Sequence, residues 1–421
     1  MNFKKQILVA ALATALPWTG AQAQTNAELL KQIEVLKAQL DALTAKVEAV
    51  SKQAGAVNPQ EFNRLVQKVD LAEESSIAAG FKGLKFKGAI EATYIRDRLQ
   101  VDFATGTTQE RQRFSTGNGY DGTGMFEISK EADDGISWLL RLTPNASVIR
   151  GLVQEASIAI PFGESGSKII GGLTPDWQGY EYYFAHQNPL ITHNLLFVNA
   201  AASTYEGVGM SQTFGKLATK WMVANIDDQK SASAPGVVYR GDYTYSEYTS
   251  FGFAGAHSRT TRRFDMVEVD AAYSRGDWTL NGQLGYGRER GAAANGGDAK
   301  WWGLSALAGY KITPTLQFVT RFDFISNRSN GGGVFFNPLN ADGVTSVFGP
   351  ELDNTGTVID PNRGTNRYAL STGFNYAINA NAAWKTELRL DRSSGFNFQD
   401  PKTLQFKRSN VLIGTGIVVS F

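Results

Sequence analysis

From Leu84 to Phe421, apolar residues recur at every second position in runs broken by Gly, Asn, Asp or Pro. An extended strand sends alternate side chains to opposite faces, so this period predicts strands with one apolar and one polar face. In 278–286, Trp278, Leu280, Leu284 and Tyr286 share one face with Gly282, while Thr279, Asn281, Gln283 and Gly285 share the other. Trp302, Leu304, Ala306, Ala308 and Tyr310 repeat the pattern, as do Leu316, Phe318, Thr320, Phe322 and Phe324 with Gln317, Arg321 and Asp323 opposite. A soluble sandwich also alternates, so the period alone does not separate the two cases. Aromatic residues separate them by closing many apolar faces at both ends, as in Trp278 with Tyr286 or Tyr368 with Tyr376. Amphipathic rings at both ends of ~10-residue strands are what two membrane interfaces favour.

Connection lengths point the same way. Short connections at 214–215, 246–247, 275–277 and 379–381 alternate with long ones at 97–121, 175–202, 326–364 and 391–409. Membrane barrels have short turns on the periplasmic side and long loops outside. The predicted fold is an all-β transmembrane barrel of about 16 antiparallel strands, preceded by an α-helical coiled-coil segment. The strands are expected at 84–96, 122–131, 135–143, 151–161, 167–173, 203–213, 216–225, 236–245, 248–257, 264–274, 278–288, 300–310, 316–325, 365–376, 382–390 and 410–421. The last run alternates Val411, Ile413, Thr415, Ile417, Val419 and Phe421 with smaller or polar residues. If that strand ends in the periplasm, an even strand number puts every long connection outside and the N-terminal segment in the periplasm.

Composition agrees once placement is considered. Lys and Arg number 41 against 40 Asp and Glu, a net charge of +1. That lacks the basic excess a nucleic-acid binder needs. The absence of cysteine removes disulfides, thiolate metal sites and a cysteine nucleophile. Three histidines, with His186 and His193 seven apart, give no metal-ligand spacing. No His-Glu-x-x-His, Gly-x-Ser-x-Gly or Walker pattern occurs, so neither an enzyme nor a cofactor is expected. Mean hydropathy lies slightly on the polar side. A wall with one wet face averages to the same value as a soluble protein.

The first 82 residues read differently. Residues 1–23 have a positive start at Lys4 and Lys5, an apolar run over 7–16 and a small-residue end at Ala21-Gln22-Ala23. This is the order of a secretory signal peptide, and the apolar run is too short to span a bilayer. In 24–54, Leu29, Ile33, Leu36, Leu40, Leu43, Val47 and Val50 are spaced 4, 3, 4, 3, 4, 3, a heptad seam. A single amphipathic helix packed on its own domain is the other reading. Residues 55–82 form a linker with a short amphipathic helix carrying Phe62, Leu65, Val66 and Val69.

Taken together, the signal peptide, coiled coil, sixteen predicted strands and terminal Phe421 resemble the DcaP-like porins of Gram-negative bacteria. More loosely, they resemble the phosphate-selective and OmpL-like porins. The segment 171–175 (Gly-Gly-Leu-Thr-Pro), an aromatic-rich stretch and 205–209 (Tyr-Glu-Gly-Val-Gly) are similar to a strand–loop–strand passage in such proteins. The resemblance implies a homotrimer of barrels in the cell outer membrane, each with its own pore, joined through coiled coil and barrel contacts. No dense run of lumen arginines on neighbouring strands carries over a phosphate ladder.

In such barrels the loop after the fifth predicted strand folds into the lumen. Here that loop is 175–202, which makes Asp176, Glu181, Tyr183, His186 and His193 the candidate constriction residues. An outward loop packed at a trimer contact is the other reading. The segment 189–197 could form a short helix against the wall. Strand parity nominates Arg141, Arg240, Arg321, Arg367, Lys385, Arg389, Asp323 and Glu387 as lumen-lining, because a charge facing mid-membrane lipid would cost up to ~4 kcal/mol. The expected function is passive diffusion of small hydrophilic solutes, anionic ones among them, through an outer-membrane pore. The alternative is a structural protein that tethers the outer membrane to the cell wall through its coiled coil.

Overall fold

The computed structural model describes residues 83–102, 107–116, 122–143, 153–163, 166–202, 204–226, 234–260, 263–334, 349–400 and 403–421. The predicted signal peptide, coiled coil and linker lie outside the described residues. In chain order the first six strands are β1 Leu84–Asp102, β2 Thr107–Ser115, β3 Thr123–Glu131, β4 Ser137–Leu142, β5 Val153–Phe162 and β6 Ser167–Pro175. A 3-10 turn Ala185–Gln187 and helix α1, Leu195–Ala200, follow. Then come β7 Thr204–Phe214, β8 Leu217–Ile226, β9 Ala234–Thr244, β10 Thr249–Arg259, β11 Arg263–Arg275, β12 Trp278–Glu289, β13 Ala299–Thr313 and β14 Leu316–Ser326. The chain ends with β15 Pro350–Leu352, β16 Val358–Gly364, β17 Arg367–Asn379, β18 Ala382–Ser393, β19 Phe398–Gln399, β20 Phe406–Lys407 and β21 Ser409–Ser420.

The strands close into a 16-strand antiparallel barrel. Each wall strand pairs with its neighbour in sequence, and β1 closes the ring by pairing with β21, from Ala89 opposite Ser420 to Asp97 opposite Leu412. The backbone groups of Gly88 and Phe421 exchange hydrogen bonds of 3.1 and 3.0 Å at that seam. β2 and β3 both pair with β1 and follow one another down the same side, so together they make one wall strand. Closure matters because an unpaired edge cannot be hydrated inside a bilayer.

The wall is apolar outside and polar inside, as the alternation predicts. Trp278, Leu280, Leu284, Tyr286, Phe318, Phe322, Leu370, Phe374 and Trp384 are exposed, whereas Glu91, Glu127, Gln283, Arg321, Asp323, Lys385 and Glu387 are buried. The outer rings form two rows. On one side Phe324 meets Trp302 in a T-shaped contact at 5.0 Å and Tyr368 at a tilt at 4.9 Å. On the other, Trp278 meets Tyr310 at 4.8 Å and Phe318 meets Phe374 at 5.5 Å. Trp278 and Tyr286 lie eight residues apart on β12. That is ~27 Å of strand, enough for a tilted wall to cover an apolar band of ~25 Å. The C-terminal end of β21 and the short turns share one rim, and the long connections share the other.

Three of the long connections hold more strand than the sequence predicts. β1 runs past Asp97 and pairs with β2 up to Asp102 opposite Thr107, inside the expected 97–121 loop. β15 and β16 form a hairpin within 326–364, and β19 and β20 another within 391–409. Beyond the bilayer both faces of a ladder meet water, so pairing continues after the apolar period has stopped.

Candidate functional site

The connection between β6 and β7 folds into the barrel. It leaves β6 at Pro175 and rejoins β7 at Thr204, and these two residues are directly paired in the wall. Gly179 marks its entry, with φ of +75° and a position where a Cβ would lie 2.8 Å from the Gln283 amide. Only glycine combines that backbone with so close an approach. From there the loop crosses the lumen and bonds inward side chains around the ring. The Gly179 amide donates to Glu268 of β11. Tyr180 bonds Ser305 of β13 at 2.7 Å, and the Asn194 side chain donates to Gln283 of β12 at 3.2 Å.

Arg321 of β14 organises the middle. Its guanidinium donates to Glu181 at 2.8 Å, to Asp323 at 3.1 Å, to the Thr192 carbonyl at 2.7 Å and to the His193 carbonyl at 3.0 Å. The second oxygen of Glu181 accepts from the Asn194 amide at 2.7 Å. Glu387 of β18 accepts from both the amide and hydroxyl of Thr192 at 2.7 Å. Arg389 donates to the Thr192 hydroxyl and the His193 carbonyl at 3.1 and 2.9 Å, and to Asp391 at 3.0 Å. Lys385 donates to the carbonyls of Ala185 and His186 at 2.9 and 3.2 Å and pairs with Glu91 at 3.3 Å. A carbonyl buried without such donors would cost about 1–3 kcal/mol. The inward charges thus supply the partners that irregular backbone needs at this depth.

Apolar contacts complete the seat. Ile191 packs with Ile95 of β1 and Leu412 of β21. Leu190 packs with Leu307 and Val319 under Tyr180. Helix α1 is capped by Asn194, whose side chain accepts from the Phe197 amide at 2.7 Å. The sequence suggests a helix over 189–197, but the structure starts it only at Leu195. Pro189 cannot donate a backbone bond, and the carbonyls of Thr192 and His193 are already held by arginines. Leu196 reaches down to Gly303, where a Cβ would stand 2.7 Å from it. Gly303→Leu is expected to displace α1 and lower the thermal midpoint by several degrees, as overpacking costs typically ~1–3 kcal/mol. An unchanged midpoint by circular dichroism would rule out this seat for α1.

The candidate residues therefore sort by exposure. Arg321, Asp323, Lys385, Glu387 and Arg389 are buried beneath the loop, Glu181 is buried within it, and Arg367 is buried against the Phe398 ring at 4.1 Å. His193 is buried too, stacked on Phe197 at 4.2 Å with its ring nitrogen against the Tyr182 carbonyl at 2.9 Å, so it faces the loop's own core. Asp176 is half-buried and accepts from the Gln178 amide at 3.3 Å. Tyr183 is half-buried among Phe184 and Phe197. Burial, with Lys385 and Arg141 beside it, pushes the His186 imidazole down to about 4, so His186 is neutral at physiological pH.

Against the β4–β8 side of the wall the loop presents rings, while Arg240 of the next strand donates to the Trp177 carbonyl at 2.8 Å. The Phe184 ring lies 5.4 Å from the Arg141 guanidinium, and the Trp177 ring 4.4 Å from the Lys220 ammonium. Arg141 itself is held by Glu127 and Glu155, both at 2.6 Å, and stays 18% exposed. Lys220 is half-buried, and Tyr182 of the loop is 61% exposed. Arg240 pairs with Asp242 and Asp270 at 2.7 and 2.9 Å, and Asp242 keeps 48% of its side chain exposed. Thr192, Tyr180 and Trp177 are central here, yet nothing in their local sequence marks them, because their partners lie on distant strands.

Residues 87–421 match the family model described as beta-barrel porin-2, OmpL-like. No curated protein matches the sequence. Among solved structures, the chain is similar to the anion-selective porin from Comamonas acidovorans, with a TM-score of 0.54 and 12% identity over 80% of this chain and 99% of that one. It is similar to the trimer form of in-vitro folded OmpT of Vibrio cholerae, with a TM-score of 0.50 and 10% identity over 80% and 99%. It also matches the outer membrane channel DcaP of Acinetobacter baumannii, with a TM-score of 0.41 and 10% identity over 80% and 97%.

Proposed function

The chain belongs to the OmpL-like beta-barrel porin-2 family, and we propose that its diffusion path runs between the inward loop and the β4–β8 side of the wall. Porin membership makes the protein a passive diffusion channel of the outer membrane. The observation that carries the proposed path is the contrast in exposure. Charges under the loop are sealed, whereas Arg141, Lys220 and Asp242 keep water access. The loop narrows this path, with the rings of Trp177, Tyr182 and Tyr183 on its side and Arg141, Glu155 and Lys220 on the wall. Asp176 and neutral His186 border it. Glu181 and His193 act as anchors.

Cations and carboxylates along this face alternate in sign, which favours weak selectivity for small hydrophilic solutes of either charge. The short turns and the C-terminal end of β21 face the periplasm, and the heptad spacing in the sequence of 24–54 favours self-association, with a homotrimer as the proposed state. The tether reading is not favoured by the family. Reversal potentials in a salt gradient test the path. Lys220→Glu is expected to move the potential toward cation preference and Glu155→Gln toward anion preference, while Asp391→Asn leaves it unchanged. Equal shifts from all three, or none, would refute the assignment.

A further inference from the structure

On the outward face, at the rim of the long connections, cations pair with cations. Arg259 of β10 stands directly opposite Arg263 of β11, and Arg288 of β12 directly opposite Lys300 of β13. All four share the parity of the outward residues on their strands (Phe253, Val267, Tyr286 and Trp302), and none is buried. Like charges directly opposite on a sheet face are destabilising. Two carboxylates relieve them in part. Asp298 holds Arg288 at 2.5 Å, and Asp265 accepts from Arg259 and from His257 at 2.9 Å. Among the described residues, these four cations against two carboxylates leave the row with two positive charges in excess. At the other end of the same strands, exposed Glu247 and Asp277 offset Arg275 and Lys311.

The height of the row is fixed by the rings below it. Tyr286 and Trp302 are paired across β12 and β13, two residues inside the Arg288–Lys300 pair. On β10, His257 stacks on Tyr239 at 5.7 Å, two residues inside Arg259. Two residues of strand are ~7 Å. Ring girdles sit at the membrane interface, so cations one step beyond them stand at headgroup level. Guanidinium groups there favour phosphate, which they can bind bidentately.

We propose that this row is a docking surface for phosphorylated lipid headgroups of the outer leaflet. The surplus cations neutralise phosphates that divalent ions would otherwise bridge. The assignment rests on the orientation given above, with the long connections outside.

The test uses the full chain in neutral detergent with EDTA present and lipid A as the probe. Native mass spectrometry should show bound lipid A, and thermal unfolding should shift upward with its concentration. Arg288→Gln with Lys300→Gln should weaken binding roughly tenfold or more, given charge-assisted bonds of this kind. Arg259→Gln with Arg263→Gln should weaken it as well. Arg275→Gln with Lys311→Gln, on the opposite rim, should change nothing. Dephosphorylated lipid A should bind far less, and inorganic phosphate should neither bind detectably nor stabilise. Binding that survives both rim double variants overturns the proposal, as does equal binding of the dephosphorylated lipid or equal loss from the opposite rim. Conductance is read on the same samples. A barrel that binds lipid A but never conducts would refute the channel path and leave this surface standing.

Discussion

Replacing Arg321 with methionine is expected to destabilise the barrel by about 3–5 kcal/mol and to raise its conductance. The guanidinium is fully buried and holds Glu181, Asp323 and two loop carbonyls. Removing it leaves two carboxylates without their cation, and desolvated charge is what makes such a truncation costly. The loop should then leave its seat to let water reach Glu181 and Asp323. Thermal unfolding followed by circular dichroism reads the first effect, and single-channel recording reads the second as a larger, noisier step. Glu181→Gln and Asp323→Asn added to Arg321→Met should recover part of the stability, since these groups couple through contact. A single variant as stable as the parent would show that Arg321 does not anchor the loop.

The second large effect concerns the loop itself. Replacing 178–201 with a short Gly-Ser linker is expected to raise conductance severalfold without unfolding the wall. Pro175 and Thr204 are already paired neighbours, so the strands need no new register to be joined. The charges uncovered on β14 and β18 would face water, where they are no longer penalised by burial. Leu190, Ile191 and Leu196 would go with the loop, and exposing their few apolar partners, such as Ile95, Leu412, Leu307 and Val319, to lumen water should lower the thermal midpoint without opening the wall. Most of the barrel's apolar surface faces lipid and is untouched.

The wall was legible because its signal is local. Trp278, Leu280, Leu284 and Tyr286 need no partner to declare a face, and turn residues such as Gly276 at φ +60° bound the strands. The ladder beyond Asp97 was not legible, because outside the bilayer neither face must be apolar. Parity sent Arg321, Lys385 and Glu387 inward, but it says nothing of what covers an inward charge. That depends on where 176–203 lies, and its contacts join residues more than a hundred positions apart, as Glu181 does with Arg321. His193 shows the limit. Its spacing from His186 suggests nothing, and its role comes from Phe197 and Asn188 folded against it.

Planar-bilayer recordings of the intact protein and the loop-replaced protein, side by side in the same salt, test the central claim most directly. The intact protein should conduct in ohmic steps, and the replaced one in steps severalfold larger. Equal conductances would contradict a loop that narrows the path, and an intact protein that never opens would contradict a path beside it.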